Sequence, residues 1–277
     1  MPSASRWSPA GAALVMLCLT LSPLAQAASC TKQSPPHRVA LVELYTSEGC
    51  SSCPPADQWL GELSQRFSAE ELVALSLHVD YWDYIGWQDR FAQPAFAERQ
   101  RWLTALAGSS TVYTPEIFTS MKELRGWHEE ATFAERIKRI NQRPAGADIR
   151  LQMRQTDDDA IDLEARFVLN ERNRTGRPAE AIVIVYENQL HSDIRAGENR
   201  GVKLRHDRVV RFWSAALPLD REEGRATWRR TLRLPAEWQG KQLGVVAFVQ
   251  DPQAGEVLQA IALAGCEPPP AAAAANT

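Results

Sequence analysis

The sequence predicts an α/β layer followed by an all-β, sandwich-like domain. Between Val39 and Ile140, short apolar runs alternate with stretches whose apolar residues recur at helical spacing. Beyond Ala147 the helical period disappears, and strand-like segments are separated by turn-rich ones. The change of character places the first domain at residues 38–146 and the second at 147–266.

Val39 to Tyr45 is a short apolar run bounded by Pro35-Pro36 and Gly49, and reads as a buried strand. Ala56, Trp59, Leu60, Leu63 and Phe67 then fall on one face of a helix. Leu72 to Val79 is a second apolar strand, and Gln88 to Ala107 reads as a helix kinked near Pro94. Glu116 to Thr119 is a strand entered through Thr114-Pro115, with Leu124 to Trp127 as its pairing partner. Phe133, Ile137 and Ile140 define a closing helix ahead of Pro144 and Gly146. This order makes the first strands parallel. In the second domain Ile161, Leu163, Ala165, Phe167 and Leu169 alternate with mostly polar neighbours, the period of a half-buried strand. Further strands are expected at Ala181–Tyr186, Val209–Trp213, Ala226–Leu234, Leu243–Val249 and Val257–Leu263. A β-sandwich fits this spacing, and a barrel would give a similar pattern.

The two ends differ from the body. Arg6, the apolar stretch Gly11 to Leu21, Pro23 and Ala25-Gln26-Ala27 form a secretory signal peptide over residues 1–28, too short to span a membrane. Ala27-Ala28-Ser29-Cys30 is a rival, degenerate lipobox in which Ala27 stands where Leu is usual. Export to the periplasm or medium is therefore expected, with no membrane span in the mature chain. Residues 267–277 are a Pro/Ala-rich tail expected to be disordered. The formal net charge of −3 has no long basic run behind it, which sets nucleic-acid binding aside.

Export leaves Cys30, Cys50, Cys53 and Cys266 in an oxidising compartment. The short loop favours a Cys50–Cys53 pair, which leaves Cys30 with Cys266 as a structural bridge. Closing so long a loop removes on the order of 4–5 kcal/mol of unfolded-state entropy. The alternative is two unrelated thiols near the chain ends.

Cys50-Ser51-Ser52-Cys53 lies between a strand and a helix. There the partial positive charge of a helix N-terminus stabilises a thiolate, the reactive form of cysteine. Cys50 is expected to be the exposed nucleophile and Cys53 the shielded resolving thiol. Pro54 and Pro55 suit a first helical turn, whose amides have no intrahelical partner. A purely structural disulfide and a thiolate metal site remain alternatives. Zinc would require two more ligands, and copper(I) is the better match to soft thiolates, with His78 on the same layer. Thiol–disulfide exchange itself calls for no cofactor or metal. Its substrates would be exported proteins or small thiols, with a redox partner the sequence does not name.

Tyr113-Thr114-Pro115 ahead of a strand resembles the cis-proline loop of the thioredoxin superfamily, which offers backbone groups to a substrate beside the dithiol. Glu43, a carboxylate in an apolar strand, resembles the buried acid that shuttles protons to the resolving thiol, although it lies one residue farther from the first cysteine. A solvent-facing Glu43 is the alternative. His78 to Trp87 is dense in aromatics and carboxylates at the end of a strand, where α/β sheets form crevices. Tyr81, Trp82 and Trp87, with Thr114, are the expected groove residues. Alternatively the aromatics cap the core between the domains, and His78 and Asp80 hold the loop by hydrogen bonds.

Val42 to Asp57, His78 to Trp87 and Tyr113-Thr114-Pro115 together resemble the secreted thioredoxin-like bacterial proteins grouped as domain of unknown function family 1223. Val245 to Asp251 and Gly255 to Ala260 resemble the family's closing strands. The resemblance implies a thioredoxin-like domain, a β-rich domain and export, and no assigned function. One departure is Glu116-Ile117-Phe118-Thr119-Ser120, which replaces a Gln-rich strand ending in glycine.

Overall fold

The structure is a computed structural model and describes residues 29–157, 159–174, 178–220, 222–238 and 242–266. The expected signal peptide and the Pro/Ala-rich tail lie outside the described residues. The chain runs through β1 (Ser29–Gln33), β2 (Ala40–Thr46), α1 (Pro54–Arg66), β3 (Leu72–His78), α2 (Pro94–Leu106), β4 (Glu116–Thr119), β5 (Lys122–Glu123) and α3 (Glu130–Asn141). Strands follow: β6 (Ala147–Asp157), β7 (Ala160–Leu169), β8 (Glu180–Glu187), β9 (Leu190–Asp193), β10 (Lys203–His206) and β11 (Val209–Trp213). The last are β12 (Leu217–Pro218), β13 (Arg225–Arg233), β14 (Leu243–Asp251) and β15 (Glu256–Ala264).

The fold is mixed α/β: one mixed sheet and a separate antiparallel sheet. The mixed sheet has the order β15-β14-β8-β11-β3-β2-β4-β5, with β12 beside β8. As expected, β2 and β3 are parallel, in register from Ala40↔Leu72 to Thr46↔His78. Both are buried along their whole length, as strands covered on two faces must be. Because β11 joins β3 at Val209↔Ser76, residues 38–146 and 147–266 contribute to the same sheet.

β2 separates two cores by alternation. Ala40, Val42 and Leu44 pack with Ala56, Leu60 and Leu63 of α1 and Phe133 and Ile137 of α3. Val39, Leu41 and Tyr45 face Phe96 and Leu103 of α2 together with Ile184, Val246 and Phe248 of the later strands. The antiparallel sheet, β1-β6-β7-β13, buries Ile149, Leu151, Leu163 and Phe167 against Val183, Val185, Val245 and Val249 of β8 and β14. Close approach of β14 to β8 needs Gly244, where a Cβ would lie 2.2 Å from Tyr186 Cζ.

Local expectations are corrected at two places. The second helix begins at Pro94 rather than Gln88, because Gln93 is extended and Pro94 occupies the first helical turn. The partner of β4 begins earlier, at Lys122–Glu123, and continues only through the Leu124 amide, which donates to Ile117 O at 2.8 Å; the Leu124 and Trp127 side chains pack into the core with α1 and α3. Between β4 and β5, Ser120 (φ 48°) and Met121 (φ 67°) take the left-handed conformation usually given to glycine. That conformation costs about 1–2 kcal/mol per residue. It is held by the Ser120 amide donating to Leu41 O at 2.6 Å and by burial of Met121 in the core.

Cys30 of β1 and Cys266, just past β15, form a disulfide with Cα atoms 5.7 Å apart. Among the described residues no helix is long and apolar enough to cross a membrane. Replacing Cys30 and Cys266 with serine is expected to lower unfolding free energy by about 2–5 kcal/mol in denaturant titrations. An unchanged midpoint would show that the bridge does not constrain the unfolded chain.

Candidate functional site

The site begins where β2 ends. Thr46 closes the strand, the chain turns through Ser47 to Gly49, and Cys53 caps α1 with Pro54 and Pro55 in the first turn. Cys50 and Cys53 are disulfide-bonded, with Cα atoms 5.5 Å apart. The Ala56 and Asp57 amides donate to Cys53 O at 2.9 and 3.1 Å, fixing the start of the helix. Ser51 and Ser52 are exposed, but Cys50 is fully buried, as is Cys53. The expectation of an exposed Cys50 is therefore corrected for this conformation.

What covers Cys50 comes from three segments. Thr114-Pro115 is a cis peptide. Thr114 O lies 3.8 Å from Cys50 Sγ and accepts from Ser52 Oγ at 3.4 Å. Trp82 donates its indole N–H to Thr114 Oγ1 at 2.7 Å and packs beside Gly49, whose Cβ would sit 3.2 Å from Trp82 Cβ. The third segment joins β9 to β10. Asn199 donates from Nδ2 to Glu48 O and Cys50 O at 2.8 and 3.0 Å, and Glu198 accepts from the Ser51 amide at 3.2 Å. Strands absent from the sequence expectation thus supply part of the site.

Glu43 is buried, but on the other face of β2. Arg99 of α2 grips its carboxylate at 2.6 and 3.0 Å, and the Tyr45 hydroxyl donates to it at 3.0 Å. The Arg99 guanidinium stacks on Trp102, Trp213 and Phe248. An acid facing α2 is turned away from α1 and the dithiol, so the relay expected of Glu43 is withdrawn. The residue before Tyr45 on the α1 face is Leu44.

Other buried acids adjoin the cysteine motif and the aromatic loop. Glu48, Asp57 and Asp89 are buried together with His78 and His206. His78 Nδ1 lies 2.7 Å from Asp89 Oδ2, which also accepts from the Glu48 amide at 2.9 Å. His206 Nε2 lies 3.3 Å from Glu48 Oε1, and its Nδ1 is 4.0 Å from Asp57 Oδ2. The two imidazoles meet edge to face, 5.0 Å apart. Burial pushes the Asp57 carboxyl above its ordinary value against the pull of His206 and His78. Burial disfavours the charged His78, yet Asp89, Asp57 and Glu48 together outweigh it and raise the pKa. Signals for this cluster were present at Asp57, inside the cysteine motif, and at His78. His206 had none, because only the tertiary fold brings it 128 residues back to His78. Among the described residues no group of three or more His, Cys, Asp or Glu side chains has the arrangement of a metal site.

The expected groove aromatics are held rather than free. Trp87 donates to Glu48 Oε2 at 2.8 Å, and Tyr81 donates to Gln100 Oε1 at 3.1 Å. His78 holds the loop through Asp89, and Asp80 O accepts from the Asp83 amide at 3.0 Å. Gln100 passes the contact on, donating to Tyr113 O and to Glu116 Oε2, both at 2.7 Å. Glu116, next to the cis proline, is pushed up to about 7 by burial.

Residues 41–250 match the family described as protein of unknown function (DUF1223). The chain belongs to that family. Among solved structures, this DUF1223 chain is similar to a protein from Agrobacterium tumefaciens, at 24% identity and a TM-score of 0.57. That match covers 84% of this chain and 97% of the other. It is also similar to HBP35 of Porphyromonas gingivalis, at 16% identity and a TM-score of 0.65, covering 88% and 80%. At these identities the likeness concerns the fold. No curated protein matches the chain.

The raised Glu116 gives a pH dependence with a definite sign. The folded carboxyl holds its proton above the pH at which the unfolded one loses it. Its contribution is therefore fully present below about 4.5 and is lost as pH rises toward about 7. E116Q, which cannot ionise, is expected to flatten that part of the stability curve in urea titrations at pH 5 and 7.5. An identical slope in both proteins would remove Glu116 as the cause.

Proposed function

We propose that this protein is an exported, thioredoxin-like thiol–disulfide oxidoreductase whose reacting atoms are the sulfurs of Cys50 and Cys53. The observation that carries the reading is the pair at the N-terminus of α1, with the carbonyl of cis Thr114-Pro115 beside Cys50 Sγ. Parallel β3 and β2 followed by antiparallel β4 and β5 support the thioredoxin-like part of the reading. The apolar leader supports export.

In the oxidising direction a substrate thiolate attacks Cys50 Sγ, and the Cys50–Cys53 bond breaks. Cys53 leaves as a thiolate and takes a proton. A second substrate thiolate then attacks the mixed disulfide, releasing oxidised substrate and Cys50 as its thiolate. Two electrons pass from substrate to the pair; with a substrate disulfide the sequence runs backwards. Reduction potentials relative to the substrate decide the direction. Asp57, one helical turn beyond Cys53 and raised by burial, takes the role first expected of Glu43: it holds the proton exchanged with Cys53, and His206 and Glu48 lie behind it.

The burial of Cys50 favours a second reading, in which the pair is a structural disulfide in a binding protein. Kinetics of disulfide exchange with a dithiol peptide and glutathione separate the two. Exchange activity is expected to vanish in C50S, whereas C53S should accumulate a mixed disulfide at Cys50. D57N should slow resolution by about 10² and change its pH profile, with little effect on the first attack. A potential below about −300 mV, with Cys50 inert toward thiols, would instead establish the structural pair.

A further inference from the structure

A second candidate site lies at the opposite end of β2. Seven strand residues at about 3.3 Å each put roughly 20 Å between it and the dithiol. It is a cavity of about 360 Å³ walled by Arg38, Lys122, Arg136, Arg139 and Arg143 against the single carboxylate of Glu256. Glu256 is already engaged, with Arg38 at 3.0 Å and Arg143 at 2.5 Å. Arg136 donates to the carbonyls of Lys122 and Glu123 at 3.1 and 3.2 Å, contacts that aim its fork without neutralising it. Neither Lys122 nor Arg139 has an ion-pair partner among the described residues.

A solvated surface patch would explain the exposed Lys122, Arg139 and Arg143, but not the buried polar groups beside them. Arg38 is 7% exposed and Thr119, also on the wall, 1%. Arg38 Nε and Thr119 Oγ1 have no hydrogen-bond partner, a costly state for buried polar atoms. The cations also oppose one another. Burial, then the charge of Arg139, lowers the pKa of Arg136. Burial and Arg143 act likewise on Arg38, against the support of Glu256. A bound anion would relieve both the repulsion and the missing partners.

We propose that this cavity binds the phosphate of a phosphomonoester. Guanidinium forks match phosphate oxygens in pairs, and the excess of cations over one carboxylate calls for a dianion. Ile140 and Val257 on the same wall supply apolar surface for an organic group. The cavity volume suits a small organic phosphate. The same chemistry occurs in a soluble phosphorylated molecule and in a phosphomonoester lipid headgroup.

Phenyl phosphate is the soluble probe, and phosphatidylcholine vesicles containing phosphatidic acid are the lipid one. Calorimetric titration of the folded, oxidised chain should show phenyl phosphate binding that weakens with salt. K122Q/R139Q, altered only at exposed side chains, should bind about tenfold or more weakly with an unchanged thermal midpoint. T119V keeps every charge and should still lose severalfold in affinity. Vesicle capture lost in K122Q/R139Q would identify the lipid as source; phenyl phosphate binding without capture would identify a soluble ligand. Binding of neither probe, or equal binding by wild type and K122Q/R139Q, overturns the proposal.

Discussion

Everything distinctive in this molecule depends on the register of β2. The strand is buried on both faces, so each of its side chains belongs to one of two cores with no solvent alternative. Even-numbered residues hold α1 and α3; odd-numbered ones hold α2 and the later strands. A slip of one residue would exchange the two sets, placing Glu43 against the apolar face of α1 and Leu44 against Arg99. Removing one partner of a buried ion pair costs about 3–5 kcal/mol, so Glu43–Arg99 adds its own penalty to that slip. The same register delivers Thr46 to the top of the sheet and sets where α1 begins. Placement of the cysteine pair is a consequence.

The polar cluster under that pair is harder to justify by stability. Three carboxylates and two imidazoles are buried within a few ångströms, and His78 Nε2 lacks a hydrogen-bond partner. Apolar residues of similar size would pack there at lower electrostatic cost. Buried titratable groups of this kind gather where protons are handled, and here they adjoin the helix that carries Cys53. Construction of the cluster requires both halves of the chain: Glu48 and Asp57 flank the motif, His78 and Asp89 border the aromatic loop, and His206 ends β10. The later strands are therefore part of the site and not an appended module.

Much of this was legible in the residues. A Val/Leu run between Pro36 and Gly49 located β2, the apolar run Leu72 to Val79 located β3, and the alternation at Ile161 to Leu169 located β7, because two-sided and one-sided burial leave different periods. The same alternation, Ile149, Leu151 and Met153 between Arg150 and Gln152, marks β6 equally well. The short hairpin of β9 and β10 carries no such period: Leu190 and Ser192 face inward beside exposed His191 and Asp193, too few residues for a pattern. Family membership was readable from Val42 to Asp57 and His78 to Trp87, since these segments keep residue types that packing alone does not demand. Glu43 was misassigned because a carboxylate in an apolar strand reveals burial but not which face it occupies. Leu44 and the i+4 position of Asp57 decide that, and only the sheet register makes the decision visible.

Burial of Cys50 then acquires a specific meaning. The proposed exchange reaction brings an incoming sulfur to Cys50 Sγ, and three groups surround that cysteine: Thr114 O, the Trp82 side chain bonded to Thr114, and the Asn199 amide on Cys50 O. Thr114 belongs to a cis-proline turn and Trp82 is tied to it, so these two form one wall. Asn199 and Glu198 arrive on a separate loop whose neighbours Arg195 and Arg200 are exposed and whose Gly197 and Gly201 take positive φ. A substrate backbone able to replace the Asn199 amide and the Glu198 carboxylate would compensate the bonds it breaks. Under the proposed exchange reaction, discrimination among substrate backbones belongs to the β9–β10 loop rather than to the cysteines, because that loop holds the backbone of Ser51 and Cys50.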